Sequence, residues 1–309
     1  MNLNCNSITM NRDKYRWVLL YILILVTLLS TVIVTYGADR DTPESTKIQD
    51  LIKEADRVAR EARTVTRTRD RLEDAIELYH DVLEVDPDNH NRHALNRLSL
   101  GYFTLAEAYL AGTERKKTAY RTGYEYGLKS LKLNKDFAES YEKKGFKALK
   151  NLPSSVDNGE AVFWTGANLG RLGETKGVLD SLGDLPALVE LNRRAIALNE
   201  AYLGGAAHRA LGSIAGELLS RQPITFLIVH NNGFSWEKVK NHFEKALEIA
   251  PGCLENYFSY AKYYALKKGK KDMARDLLNE TLTRPLGGEY PLINSIAKKK
   301  ARELKEEKF

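Results

Sequence analysis

Cysteine is nearly absent. Cys5 and Cys253 are the two in 309 residues, and they flank an apolar segment that, once cleaved or set in a membrane, keeps them from pairing within one chain. A disulfide framework and a cysteine-based zinc site are both excluded. Charge of one sign is not massed either: 47 Lys and Arg oppose 41 Asp and Glu, and the net +6 is spread along the chain. A nucleic-acid binder carries a sharper basic footprint, so nucleic acid is not an expected partner. Catalytic signatures are missing too. None of the six histidines falls in an HExxH pattern, and no nucleophile elbow, GxGxxG or phosphate loop is present. Asp86, Asp88, His90 and His93 crowd together, but a calcium loop starting at Asp86 needs Gly and Glu where Asn91 and Arg97 stand, so they read as a solvated turn. Cys253 lacks the flanking pattern of a catalytic thiol and reads as a small buried residue at a helix start. The expectation is a chain that is not an enzyme and carries no cofactor.

One long apolar run is present. Residues 17–34 read WVLLYILILVTLLSTVIV, preceded by Arg12, Lys14 and Arg16 and followed by Asp39, Asp41 and Glu44. A basic flank before an apolar run is the pattern of an export signal, with the basic side kept in the cytoplasm. The run exceeds the ~7–15 residues of a cleavable core and approaches the ~18–20 that span a bilayer, which favours an uncleaved anchor. The small residues of Thr35-Tyr36-Gly37-Ala38 offer the alternative, cleavage near Ala38. A lipid anchor would need a cysteine just after the run, and Cys5 lies before it. Residues 1–38 are therefore assigned to a signal peptide or membrane anchor and 39–309 to an exported domain.

Convincing strand runs are lacking, and from Ser45 onward apolar residues recur at three and four. The body is expected to be all-α. Proline is scarce, and its eight positions (43, 87, 153, 186, 223, 251, 285 and 291) fall between periodic segments. In the clearest segment, Ser235 to Ala250, Ser235 is the expected cap, Trp236, Val239, Phe243, Ala246 and Leu247 form one stripe, and Pro251-Gly252 stops the helix. Its ending repeats elsewhere: Tyr79, Leu83, Val85 and Pro87 match Phe243, Leu247, Ile249 and Pro251, with looser versions at 126–136, 191–201 and 273–285. Pro251 and Pro285 stand 34 residues apart, the period of a tetratricopeptide repeat. Other intervals differ, so the expected architecture is an irregular array of tetratricopeptide-like helical hairpins, an α-solenoid or superhelix, in which each pair buries its face on the next.

Gly166, Gly170, Gly173 and Gly177 share a helical face, and Gly205, Gly212 and Gly216 form a second. Each glycine costs about 1 kcal/mol relative to Ala inside a helix, so the faces imply either tight helix packing or space for a ligand. Trp164, Asn168 and Arg171 lie at i, i+4 and i+7, placing an indole, an amide and a guanidinium on one stripe. Such a stripe suits an organic carboxylate, and His208 and Arg209 add donors from a neighbouring helix. The competing reading puts Trp164 in the core and Arg171 at a helix end. The basic tail, Lys298-Lys299-Lys300 with Arg302, Lys305 and Lys308, is interleaved with Glu303, Glu306 and Glu307 and reads as a solvated helix face.

Residues 160–282 carry a more specific signal. AVFWTGANLGR at 161–171, AAHRALG at 206–212, KNHFEKAL at 240–247 and YAKYYA at 260–265 resemble, in order and approximate spacing, the T-component family of TRAP (tripartite ATP-independent periplasmic) transporters. The resemblance implies a periplasmic tetratricopeptide-type protein that associates with the solute-binding P component, forms a homotrimer and holds a channel in each protomer. It departs from the family at 230–235, HNNGFS, where a Gly-Gly-Asp turn is common, and in lacking the lipoprotein cysteine. The implied function is an accessory subunit on the periplasmic side of the cytoplasmic membrane, anchored through residues 17–34 or soluble if cleaved. It docks a solute-binding protein and binds or passes a small organic ligand. A general envelope scaffold without ligand is the alternative; an apolar tunnel of ligand size between the helices carrying Trp164 and His208 separates the two, a solid, filled interior there favouring the scaffold.

Overall fold

The computed structural model describes residues 43–62, 68–86, 90–177, 180–287 and 289–309. The apolar run at 17–34, the Ala38 junction, Pro87 and Asp88 lie outside the described residues. The described chain is all-α: thirteen α-helices, two 3-10 segments and one π-helical turn, with no strand. No helix among the described residues is long and apolar enough to cross a membrane. The chain divides into two compact units, Met1–Asp50 and Leu51–Phe309. Of the first, the described part is the opening of helix α1 (Pro43–Glu61), which starts on a proline.

Within the second unit the helices follow caps and breakers visible in the sequence. After α2 (Thr68–Val85), α3 (Arg92–Ala108) begins where the Asn91 side chain accepts the Ala94 N–H at 3.0 Å. Next come α4 (Thr113–Lys132) and α5 (Lys135–Lys144), then a 3-10 segment, Gly145–Asn151. Ser155 caps α6 (Val156–Lys176) by accepting the Asn158 N–H at 3.1 Å, and Gly177, at φ 95°, ends it. A side-chain oxygen at such a cap satisfies one of the four N–H groups a helix start leaves open. Helix α7 (Leu185–Asn199) has Pro186 in its first turn. It is followed by α8 (Ala206–Leu219), the short α9 (Phe226–Asn232) and α10 (Trp236–Ile249). Ser235 caps α10 through the Lys238 N–H, as its position predicts. Helix α11 (Leu254–Tyr260) runs straight into the π turn Ala261–Ala265, and α12 (Lys271–Thr283) and α13 (Pro291–Lys308) complete the chain.

Chain neighbours pack on one another: α2 on α3, α3 on α4, α6 on α7, α7 on α8, and α11 with α12 and α13. Two longer-range pairings, α4 on α6 and α8 on α10, tie these together. The α4–α6 contact is very close because α4 carries Gly123 and Gly127 there. A methyl at Gly127 would stand 2.4 Å from Thr165 Oγ1, and one at Gly123 would stand 2.5 Å from Asn168 Oδ1. Of the two glycine faces read from the sequence, Gly166 and Gly173 pack on Leu191 of α7 and on Ser181, while Gly212 lies on the Phe243 ring and Gly216 on the Tyr263 carbonyl. The two faces therefore serve tight packing on different neighbours and do not meet each other.

Phe137, Leu149, Leu191 and Leu218 are fully buried in a central cluster that includes Trp164. A second cluster is built on Phe243, with Val239, Tyr260 and Tyr264, and the Phe243 and Tyr260 rings stack at 5.2 Å. A fully buried phenylalanine contributes about 2–3 kcal/mol, so α10 is held mainly by this one face.

A carboxylate-bearing cleft at the start of helix α6

Helix α6 presents Gly159, Glu160 and Phe163 toward the last turns of α7, with the α7–α8 turn and Ala207 closing the space. The result is a cleft of about 260 Å³. Gly159, Phe163, Ala195, Leu198 and Ala207 supply its apolar wall, and Ser154, Ser155, Glu160, Asn199 and Tyr202 its polar groups. It lies between α6 and the start of α8, immediately beside Trp164 and His208 in sequence.

The turn that brings Tyr202 to the cleft is conformationally demanding. Leu203, Gly204 and Gly205 all have positive φ, at 48°, 65° and 74°. Leucine pays a steric penalty there that glycine does not. Asn256, fully buried on α11, holds the turn by donating its amide to the Gly204 carbonyl at 3.1 Å and the Ala246 carbonyl at 2.8 Å. Arg209 donates to Asn256 Oδ1 at 2.6 Å. Arg209 thus acts on the cleft at two removes, by fixing the residue that fixes the turn.

Inside the cleft a hydrogen-bond chain runs through Tyr202. Its hydroxyl receives the Trp164 Nε1–H at 3.0 Å and donates to Glu160 Oε1 at 3.3 Å. Burial, reinforced by the Glu160 carboxylate, pushes the Tyr202 phenol well above its ordinary range, so it stays protonated and able to donate. Arg97 of α3 reaches the same Oε1 at 3.6 Å, and its Nε lies 4.0 Å from Asp56 on α1. Asp56 in turn accepts from Tyr79 at 2.5 Å and contacts His93 Nε2 at 2.9 Å. Burial would raise the Asp56 carboxyl, and these two partners more than offset it, so it sits below its usual value.

The five residues singled out in the sequence divide between two places. Trp164, Asn168 and Arg171 share the side of α6 that faces α3. Trp164 packs against Phe103 with ring centroids 5.3 Å apart. Asn168, fully buried, donates to the Ser99 carbonyl at 3.0 Å and the Trp164 carbonyl at 3.0 Å. Arg171 pairs with Glu107 at 3.0 Å and Glu174 at 2.7 Å. All three side chains therefore have protein partners. His208 and Arg209 point elsewhere: His208 Nδ1 stands 3.0 Å from His242 Nδ1 of α10 and its Nε2 3.4 Å from Glu200, while Arg209 serves Asn256. Only Trp164 touches the cleft network, through Tyr202. Glu160, Tyr202, Phe163 and Arg97 were not among the site residues read from the sequence; the Gly204-Gly205 pair before a helix is a local sign of the turn that assembles them.

Cys253 is buried at the cap of α11, matching its sequence reading. Among the described residues no group of three or more His, Cys, Asp or Glu side chains is arranged to hold a metal ion. The cleft combines an apolar wall, a fixed aromatic and one carboxylate.

A family model for the TRAP transporter T-component matches residues 103–309, and the chain belongs to that family. The match takes in α4 to α13 and the last six residues of α3, so the residues lining the cleft fall within it, while Arg97 and the Asp56 network precede it. The family is one of transporter accessory components and not of enzymes. No curated protein matches the chain.

Proposed function

We propose that this chain is an accessory subunit of a TRAP-type uptake system that docks a periplasmic solute-binding protein and holds a small organic ligand in the Glu160–Tyr202 cleft. Membership of the T-component family is the observation that carries the transport role. The cleft supports the ligand role, because it offers an open volume between α6 and α8 where a plain scaffold needs none. The succession of neighbouring helix pairs supports reading the body as a tetratricopeptide-like array. The apolar run at 17–34 supports placement on the periplasmic side of the cytoplasmic membrane, by anchoring or by export with cleavage near Ala38.

Docking needs an exposed apolar surface, and one exists at the end of the α8–α9 connection and the first turn of α9. Ile224, Phe226 and Leu227 are 71%, 54% and 71% exposed, whereas among the described residues the other large apolar groups are mostly covered. Clustered exposed apolar residues mark interaction sites. The homotrimer and the P component are the two candidate users of that surface.

The test is cross-linking and gentle purification of the full chain from its native envelope, with the captured proteins identified by mass spectrometry. A solute-binding protein captured with the wild type, and lost with Leu227→Asp, is the expected result. Recovery of the chain with no solute-binding protein overturns the docking role.

A further inference from the structure

The cleft's one charged group is arranged to receive a hydrogen bond, not to give one. Among the residues lining it, Glu160 alone carries a charge. Its Oε1 takes both the Tyr202 hydroxyl and Arg97, whereas its Oε2 has no partner among the described residues. Tyr202 has no proton to spare: its one hydrogen goes to Glu160, and its oxygen already receives Trp164 Nε1–H. Arg97 stands 3.6 Å from Glu160 Oε1 and is not part of the lining. Arg171 is engaged by Glu107 and Glu174. Asn199 spends its Oδ1 on the Ala201 N–H at 3.2 Å, and Ser155 accepts the Asn158 N–H. The remaining hydroxyl and amide hydrogens of Ser154, Ser155 and Asn199 are neutral donors at the exposed rim.

We infer that the cleft takes a small molecule with an apolar body and a hydrogen-bond-donating head, an alcohol or a primary amine, received by Glu160 Oε2, and that it rejects the carboxylate with the same body. The inference rests on the reading of the cleft as a ligand site. Phe163, Ala195, Leu198 and Ala207 cover the body, and Tyr202 holds the carboxylate in place from its other oxygen. A carboxylate head meets Glu160 with like charge and no lining cation, which is the repulsive element that specificity requires.

Three probes of one body separate the terms: 2-phenylethanol, phenethylamine and phenylacetate, titrated into the purified full chain and followed by saturation-transfer NMR. Two variants, each checked for an unchanged unfolding profile, accompany the wild type. Leu198→Trp fills the rim of the cleft from a half-buried position, and Glu160→Gln keeps the shape while removing the charge and adding a donor.

The alcohol and the amine are expected to bind, each lost in Leu198→Trp, with phenylacetate at least about tenfold weaker. Glu160→Gln is expected to bring amine and phenylacetate within about threefold of each other. If phenylacetate binds the wild type as tightly as the amine, and Leu198→Trp abolishes both, the cleft stands as a ligand site and the donor-head assignment falls. If no probe binds, or binding is indifferent to both variants, the cleft reading itself falls.

Discussion

Arg171 meets Glu107 with Nε 3.0 Å from Oε1, and the same carboxylate receives the Tyr120 hydroxyl at 2.6 Å and the Lys300 ammonium at 2.9 Å. One side chain of α3 thereby joins α4, α6 and α13. Lys300 also stands 3.8 Å from Glu255 of α11, so the C-terminal helix is fastened by charge as well as by Ala297 and Ala301. Removing Glu107 leaves Arg171 with Glu174 alone and Lys300 with the more distant Glu255, each cation about three-quarters covered. Glu107→Ala is expected to destabilise by about 2–4 kcal/mol, somewhat below the cost of breaking a fully buried pair because both cations keep a second carboxylate and some water. Urea unfolding measures it. Burial alone would raise the Glu107 carboxyl, but Arg171, Lys300 and Tyr120 hold it well below its ordinary 4.5. Its contribution is therefore present above pH 4.5 and lost as pH falls further, and Glu107→Gln should show a shallower loss in that range.

The His208–His242 contact gives a second, separable acid response. Burial lowers His208, with Glu200 opposing part of the effect. Burial together with His208, Arg193 and Lys238 pushes His242 down to about 4. Between the ordinary 6.5 and 4 the unfolded chain binds protons that the folded chain refuses, so stability falls as pH drops through that window. His242→Gln should flatten the dependence between pH 6.5 and 4.5 and leave the steeper loss below it intact. Thermal midpoints at half-unit steps of pH test this, and parallel curves for the two proteins would count against it.

How far the sequence carried the structure differs between backbone and site. Ser235, the prolines and the three-and-four periodicity mark helix ends because capping and proline act within a few residues of themselves. The stripe of Trp164, Asn168 and Arg171 was legible as a shared helix face, and it is one. What that face meets was not legible: Arg171 is answered by Glu107 on α3 and indirectly by Lys300, 193 positions from Glu107. The cleft depends on a similar long-range meeting, Tyr202 with Glu160 at a separation of 42. Periodicity reports which residues lie together on one helix and carries no information on which helix faces them. The glycines show the same limit, since Gly123 and Gly127 of α4, which let α4 come close to α6, belong to neither face recognised in the sequence.

Glycine substitutions therefore sort by neighbour and not by helix. A methyl at Gly216 would stand 2.2 Å from the Tyr263 carbonyl oxygen, a backbone atom that cannot step aside without moving the π turn. Gly216→Ala is expected to destabilise by about 1–3 kcal/mol. At Gly170 the nearest atom is Leu188 Cδ2 at 3.6 Å, an ordinary contact. Gly170→Ala removes unfolded-chain entropy without a clash and should stabilise by about 0.5–1 kcal/mol. Opposite signs in a paired denaturation measurement are the expected outcome.

Tyr202 offers the most direct check on the cleft network. Tyr202→Phe keeps the ring against Phe163, whose centroid lies 5.3 Å away, while deleting the hydroxyl that links Trp164 to Glu160. Trp164 is 5% exposed, so its indole N–H loses its partner in a place that water barely reaches. An unsatisfied buried donor costs about 1–3 kcal/mol, and that is the expected loss of stability. The emission of Trp164 should shift to the blue as the polar partner disappears, measured against a Trp164→Phe background that removes the contributions of Trp17 and Trp236. The same substitution frees Glu160 Oε1 from one of its two partners while leaving Arg97 in place. Phenethylamine should then bind no more than about threefold more weakly than to the wild type, because Oε2 receives the head and Tyr202 only steadies the carboxylate. A loss as complete as that caused by Leu198→Trp would mean that the phenol itself, and not the carboxylate, holds the ligand.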